Sequence, residues 1–327
     1  MIWETILSAF LWLVGGAVLI ATLLPLTNSV RWWIRMWDFP RLHLAALALA
    51  VLLLGFAFAV PFYPVLMALM AGVLAYQAVL IFPYTPLART EMAKKTAPPD
   101  TSEVRLLAAN VQMGNDRYDD LAHIIERENP DAVLLMETDQ DWADGLHDTL
   151  ARYDTIKAHV SDNYYGMIFA TRLKALDCDF IWPHGDDTPA LKALLADNEG
   201  TYFNFIGLHP RPPVPGNTTK VRDRQIRKAA EMTASAERPT VCMGDFNDVA
   251  WSWTTQRFKH YGNFLEPRVG RGMVSSFHTK SRLLRLPIDQ LFLTENVNLV
   301  SFGRLESFGS DHFPIQTSVF FDPSPGT

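Results

Sequence analysis

Three apolar runs crowd the first quarter of the chain, Thr5 to Leu26, Leu42 to Val60 and Phe62 to Phe82, and none contains a Lys, Arg, Asp or Glu. Each approaches or exceeds the roughly 20 residues that a helix needs to cross a bilayer core. A cleavable leader does not fit the first run, which has no Lys or Arg before it and no compact small-residue cleavage site after it. Buried helices of a soluble domain account for one such run, not for three in succession. Trp32, Trp33, Trp37, Tyr63 and Tyr84 flank the runs, where amphipathic rings favour the headgroup layer. Residues 1–84 therefore read as three membrane helices, at about 5–26, 42–60 and 62–82, which makes the chain an integral, multi-pass membrane protein.

Beyond Tyr84 the chain changes character. Residues 85–102 are polar and punctuated by prolines, and read as a linker. Some fifteen flexible residues span roughly 20 Å on average, which holds the following domain near the membrane. That domain, 103–321 before a short tail at 322–327, carries most of the charge. Residues 101–327 hold 23 of the 29 Lys and Arg and 31 of the 35 Asp and Glu, a net charge of −8. A protein built to grip duplex DNA neutralises several phosphates with a basic face, so this balance argues against that partner. Cys178 and Cys242 lack metal-ligand spacing and read as small core residues.

From Val104 onward, strand-like and helix-like segments alternate. Strands are predicted at Val104 to Val111, Ala132 to Met136, Tyr165 to Thr171, Thr201 to Leu208, Thr240 to Met243, Ile288 to Leu293 and Phe313 to Phe320. Helical spacing of Leu121, Ile124 and Ile125 predicts a helix from Tyr118 to Glu128; Ile226, Ala229, Ala230 and Ala234 predict another over Thr219 to Glu237. The fold class is α/β with many short strands.

Polar residues recur where these strands end: Asn110, Glu137, His209, Asp245 with Asn247, Asp289, and Asp311 with His312. Singly, each has a structural explanation as turn former, helix cap or strand-end residue. Their sequence contexts say more. Val-Leu-Leu-Met-Glu137-Thr-Asp, Val-Cys-Met-Gly-Asp245-Phe-Asn247-Asp, Pro-Ile-Asp289-Gln-Leu-Phe and Gly-Ser-Asp311-His312-Phe-Pro follow one another in the order of four signatures of the endonuclease/exonuclease/phosphatase (deoxyribonuclease I-like) superfamily. The resemblance covers essentially all of residues 103–320. It implies a two-layer sandwich of β-sheets flanked by helices, with an active site at one end between the sheets.

The resemblance also implies roles. Glu137 matches the principal metal ligand, with Asn110 beside it and Asp311 assisting. Mg²⁺ or Mn²⁺ is the expected cofactor, because a hard cation on carboxylate and amide oxygens offsets the charge of a phosphoester. His312 matches the catalytic histidine, oriented by Asp289, while Asp245 and Asn247 bind the attacking water and a phosphoryl oxygen. His209 matches a second histidine of the deoxyribonuclease I and sphingomyelinase branches, which leans towards phosphodiesters or lipid phosphates. Arg211, Lys220, Arg222 and Arg224 follow it and are candidate phosphate contacts or a solvated helix face. Tyr165 is a candidate substrate contact, with core packing as its other reading; Trp251 and Trp253 divide between a substrate wall and packing.

Architecture narrows the partner to a phosphorylated substrate in or near a lipid surface. The layout resembles membrane proteins associated with teicoplanin-type antibiotic resistance, which implies a lipid-linked phosphate or pyrophosphate. The alternative is a membrane-tethered nuclease whose basic patch is drawn from Arg211, Arg222, Arg271, Arg282 and Arg285. Arg31, Arg35 and Arg41 between the first two runs, with Arg89, Lys94 and Lys95 after the third, place the catalytic domain in the cytoplasm by the positive-inside rule. The antibiotic-resistance resemblance implies the outside, and both sides stay open.

Overall fold

In the computed structural model, residues 2–183, 188–216, 218–234 and 238–322 are described. The chain divides into two units, Met1–Ala88 with Pro213–Lys220, and Arg89–Pro212 with Val221–Thr327.

The first unit consists of α1 (Ile2–Leu23), a short α2 (Trp32–Arg35), α3 (Arg41–Ala57) and α4 (Tyr63–Ile81). Leu11, Val18, Ala48, Val51, Leu66 and Met70 pack at its centre. Its outward faces are apolar too, with Phe10, Leu13, Leu53, Phe56 and Val79 exposed. A helix bundle apolar on every side suits hydrocarbon, not water. Ile2–Thr27 and Tyr63–Tyr84 are each long and apolar enough to cross a membrane; Trp32–Asp38 and Arg41–Ala57 pass together but are bent by 73°. The middle run thus departs from a simple span at 42–60. Pro40, which has no N–H to continue a helix and sits outside helical backbone at φ −84° and ψ 33°, separates the two pieces.

That break also gathers the charges of the first loop into one buried cluster. Arg35 and Arg41 are buried, Asp38 pairs with them at 3.3 and 2.5 Å, and Gln77 on α4 donates to Thr22 at 3.0 Å. The segment after Pro212 contributes here as well, since the Thr219 N–H donates to the Val30 carbonyl at 2.8 Å.

The second unit is built on two six-stranded sheets. In chain order its elements are β1 (Val104–Asn110), α5 (Tyr118–Glu128), β2 (Ala132–Met136), α6 (Gln140–Gly145), α7 (His147–Leu150), β3 (Thr155–His159), β4 (Met167–Thr171), β5 (Lys174–Ile181), β6 (Ala190–Ala196) and β7 (Tyr202–Leu208). Then come α8 (Lys220–Ala234), β8 (Thr240–Asp245), α9 (Trp253–Tyr261), β9 (Phe264–Leu265), β10 (Asp289–Thr294), β11 (Val297–Arg304) and β12 (Ile315–Phe321). The predicted end of α8 at Glu237 lies outside the described residues.

Sheet order is β11-β12-β1-β2-β4-β3 in one sheet and β5-β6-β7-β8-β10-β9 in the other. Each contains one parallel pair, β1 with β2 and β7 with β8, joined across α5 and α8 respectively, and the remaining neighbours are antiparallel. Alternate residues explain the layering. Leu106, Leu134 and Phe169 of the first sheet meet Leu191, Phe205 and Met243 of the second, with Phe169 stacked on Phe205 at 5.2 Å. On the opposite faces, Leu107 and Leu135 pack under Leu121, Ile125 and Trp142, while Ile206 and Phe292 pack under Ile226, Ala229 and Phe258. The result is helix, sheet, sheet, helix.

The stretch read as a free linker is partly ordered on this unit. Met92 is buried in the inter-sheet core, the Lys95 N–H donates to Leu299 at 2.8 Å, and Glu91 pairs with Lys259 at 2.6 Å. An apolar side chain and an acid inside a polar stretch gave those residues something to dock with.

Candidate active site

The parallel pairs bring the chemistry to one place. β1 ends on Asn110 and β2 on the residue before Glu137; β7 ends just before His209 and β8 on Asp245. Asp289 opens β10 directly opposite Asp245, and His312 lies shortly before β12. Asn110 Nδ2 donates to Glu137 Oε1 at 2.8 Å and to Asp245 Oδ2 at 3.1 Å, joining the two sheets. His209 Nε2 lies 3.8 Å from both carboxylates. His312 Nε2 lies 3.7 Å from Asp245, and its Nδ1 hydrogen-bonds Asp289 at 2.7 Å. Asn247 donates from its backbone to Asp245 Oδ1 at 2.8 Å and from Nδ2 to the Pro210 carbonyl at 3.0 Å. Glu137 and Asn247 adopt left-handed backbone, φ 62° and 49°, a strain that recurs at functional sites.

Burial sets the charges. It pushes the Glu137 carboxyl up, and lifts Asp245 to about 6. It pulls His209 down, so that this imidazole favours its neutral form. Burial also opposes the charged form of His312, but the charges of Asp289 and Asp245 and the hydrogen bond that His312 donates to Asp289 overcome it and raise the group to about 10. One buried histidine is therefore held neutral and the other held charged.

The Asp245, Asp289 and His312 ligand atoms lie within 4.8 Å of one another, as a metal site requires. The 2.7 Å contact with Asp289 occupies His312 Nδ1, and an ion bound at that nitrogen would displace it. Glu137 beside the Asn110 amide offers a cation hard oxygen donors. Glu137 keeps part of its side chain open to solvent, burial makes its carboxyl a weaker acid, and hard oxygen donors are what Mg²⁺ or Mn²⁺ takes. Asp311 stands close enough for its charge to raise Glu137 further.

The remaining predicted residues separate. Tyr165 and Arg211 gather at His209: the ring centroids of Tyr165 and His209 are 5.8 Å apart, and the Arg211 guanidinium lies 5.3 Å over Tyr165 while its Nε donates to Thr188. Arg224 is half-buried on α8. Arg222 corrects the expectation of a substrate contact. It is 1% exposed, pairs with Asp223 at 3.0 Å and Asp248 at 3.1 Å, and donates to the Asn247 carbonyl. It is a support beneath Asn247. Trp251 is buried, in keeping with packing, and Trp253 is partly exposed under the Arg257 guanidinium at 4.3 Å.

Four positioning residues escaped the sequence reading. Ser310 donates to the Asn110 carbonyl at 2.8 Å and accepts from the His312 N–H at 3.0 Å. Gln112 donates its backbone N–H to Asn110 Oδ1 and accepts from the Asp311 N–H. Ser276 accepts from the Asp289 N–H, and the buried Arg268 donates to the Asp289 carbonyl at 2.6 Å. Only Ser310 had a signal, as the residue before Asp311.

A family model described as the Endonuclease/Exonuclease/phosphatase family matches residues 107–312. No curated protein matches the chain. Among solved structures, an endonuclease/exonuclease/phosphatase family protein from Bacteroides thetaiotaomicron aligns with TM-score 0.56 and 17% identity, covering 68% of this chain and 100% of that one. A mannosyl-6-phosphatase from the same species aligns with TM-score 0.54 and 16% identity, over 67% and 100% of the two chains. D. rerio TDP2 complexed with a single strand DNA product gives TM-score 0.53 and 18% identity, over 67% and 99%. At these identities the likeness is one of fold.

Proposed function

The chain belongs to the endonuclease/exonuclease/phosphatase family of metal-dependent phosphoester hydrolases, and from that premise we propose that it hydrolyses a lipid-linked phosphoester or pyrophosphate at a membrane surface. The observation that carries this reading is the union, on one chain, of a buried Asp–His and carboxylate site with helices long and apolar enough to cross a membrane. The net charge of −8 over residues 101–327 supports a small or lipid-held phosphate over a long polyanion. The architectural resemblance to teicoplanin-resistance-associated membrane proteins points the same way.

In this mechanism Glu137 and Asn110, with Asp311 nearby, would hold Mg²⁺ or Mn²⁺. When bound, the ion neutralises charge on the phosphoryl oxygens and makes water more acidic. Asp289 accepts from His312 Nδ1 and so fixes the ring, whose Nε2 gives or takes a proton on the side facing Asp245. Asp245 holds the attacking water, and Asn247 steadies a phosphoryl oxygen. His209 stabilises the leaving oxygen, while Arg211 and Tyr165 line its approach.

Phosphate release by the full-length protein in detergent separates this from a membrane-tethered nuclease. Undecaprenyl pyrophosphate and single- and double-stranded DNA are compared with and without Mg²⁺, with His312→Ala as the blank. Metal-dependent release from the lipid, absent in the variant, is expected; DNA cleavage with no lipid turnover overturns the proposal.

A further inference from the structure

Residues 267–288 carry five cations, Arg268, Arg271, Lys280, Arg282 and Arg285, and no carboxylate, inside a region of net charge −8. Arg268 is buried against Glu266, and Arg271 donates to backbone carbonyls. The other three sit on a loop closed by a bridge between Phe277 and Leu286. At its tip Leu283 is 80% exposed and Leu284 55% exposed. Arg304 joins them, since Arg285 and Arg304 lie over the Phe313 ring at 5.1 and 4.3 Å. Burial and then the charge of Arg285 pull the Arg304 guanidinium down, which marks how close two like charges have been brought. Their hydrogen bonds go to the Thr279 and Ser275 carbonyls, and among the described residues no carboxylate pairs with any of these four cations.

Two bare leucines at a loop tip are costly in water, and loop tips are ordinarily polar. Flanked by Lys and Arg, they form the pattern of a segment that seats apolar side chains at the acyl boundary while its cations meet anionic headgroups. A nucleic acid would want aromatic faces for base stacking, and the tip offers none. The base of the same loop is wired to the site. The Thr279 N–H donates to the Asp311 carbonyl at 2.9 Å, the Phe313 N–H donates to Ser276 at 2.8 Å, and Phe277 lies 5.0 Å from the His312 ring.

We infer that the loop between Phe277 and Leu286 docks on an anionic lipid surface, with Leu283 and Leu284 entering it, and so presents the site containing His312 to the headgroup layer. This rests on the reading that the protein works at a membrane.

The test uses the full-length protein in nanodiscs. Because Cys178 and Cys242 are buried, Leu284→Cys takes an environment-sensitive dye selectively. In discs of phosphatidylcholine with phosphatidylglycerol, a blue-shifted emission quenched by brominated acyl chains and weakened by salt is expected. Water-like emission in those discs, or a shift equal in purely neutral discs, overturns the inference. So does a shift produced only by added single-stranded DNA. This readout needs no turnover, so it fails or succeeds independently of the proposed reaction. In parallel, Leu283→Ser with Leu284→Ser should lower turnover of a lipid-embedded phosphoester about tenfold and leave a soluble aryl phosphodiester unchanged. Equal losses on both would reduce the loop to a structural part and overturn it.

Discussion

The two sheets of the catalytic unit use the same device and arrive at different chemistry. In each, a parallel pair joined across a helix ends on two polar side chains, Asn110 and Glu137 in one sheet, His209 and Asp245 in the other. Each parallel pair is flanked by antiparallel strands on both sides, β12 and β4 in one sheet, β6 and β10 in the other. The difference lies in solvent. The Glu137 side chain keeps 19% of its surface, while His209 and Asp245 keep 3% and 1%. An open carboxylate beside an amide suits a hydrated hard cation; a closed acid and imidazole suit proton transfer. Topology places the groups, and dielectric divides their labour.

The largest effect should come from the closed side. His312→Ala is expected to lower turnover about 10³–10⁴-fold without changing the metal concentration needed for half-maximal rate. A loss smaller than tenfold in steady-state assays would remove His312 from the chemistry. Next come two glycines that let backbone approach each polar residue. A Cβ on Gly244 would meet the Leu208 carbonyl oxygen at 2.0 Å with φ at 144°, and one on Gly166 would meet that of Thr138 at 1.7 Å. Alanine at either should cost at least about 3 kcal/mol in urea unfolding, against little for Gly303→Ala, where nothing lies within 4 Å. Equal stability of all three would show that the sheets have room to spread.

A smaller effect separates the open side from the closed one. Glu137→Gln should raise the Mg²⁺ requirement by about 10–100-fold or more, read from rate against metal concentration, whereas Asp245→Asn should chiefly lower the plateau. If both variants shift only the metal requirement, the division drawn above collapses, and Asp245 is a ligand.

Much of this was legible before any coordinates, and the omissions have physical reasons. Buried strands such as Ala132–Met136 announce themselves as apolar runs, and their last residues stand out because polar groups there need a purpose. β6 did not, because Ala-Leu-Lys-Ala-Leu-Leu-Ala suits a helix until neighbours on both sides claim it. β3 and β5 alternate weakly, with exposed charges along them. Arg222 looked like a solvated cation at a helix start because its partner Asp248 comes from the far side of a strand, a pairing that only folding creates. Arg268 and Ser276 act on the backbone of Asp289, and no residue type advertises that.

The subtlest contrast is between the two histidines, which should oppose each other in the pH dependence of stability. His312 is raised to about 10 in the fold against 6.5 in the free chain, so its stabilising contribution is complete below 6.5 and is lost as pH rises through about 10. His209 is lowered, so the unfolded chain binds a proton that the folded one refuses, and stability is lost as pH falls through the unfolded value. In metal-free protein, with chelator present, urea unfolding should therefore come more easily towards pH 10, while on the acid side the loss from His209 is opposed by Asp245, which the fold lifts to about 6. Asp289→Asn removes the first of the influences that raise His312 and leaves burial unopposed by it, so the alkaline loss should move towards neutral pH or vanish. His209→Gln should remove the acid-side loss and leave the alkaline side in place. If Asp289→Asn leaves the alkaline limb where it was, the charge on His312 is held by Asp245 and Asp311, and the hydrogen bond to Asp289 serves only to orient the ring.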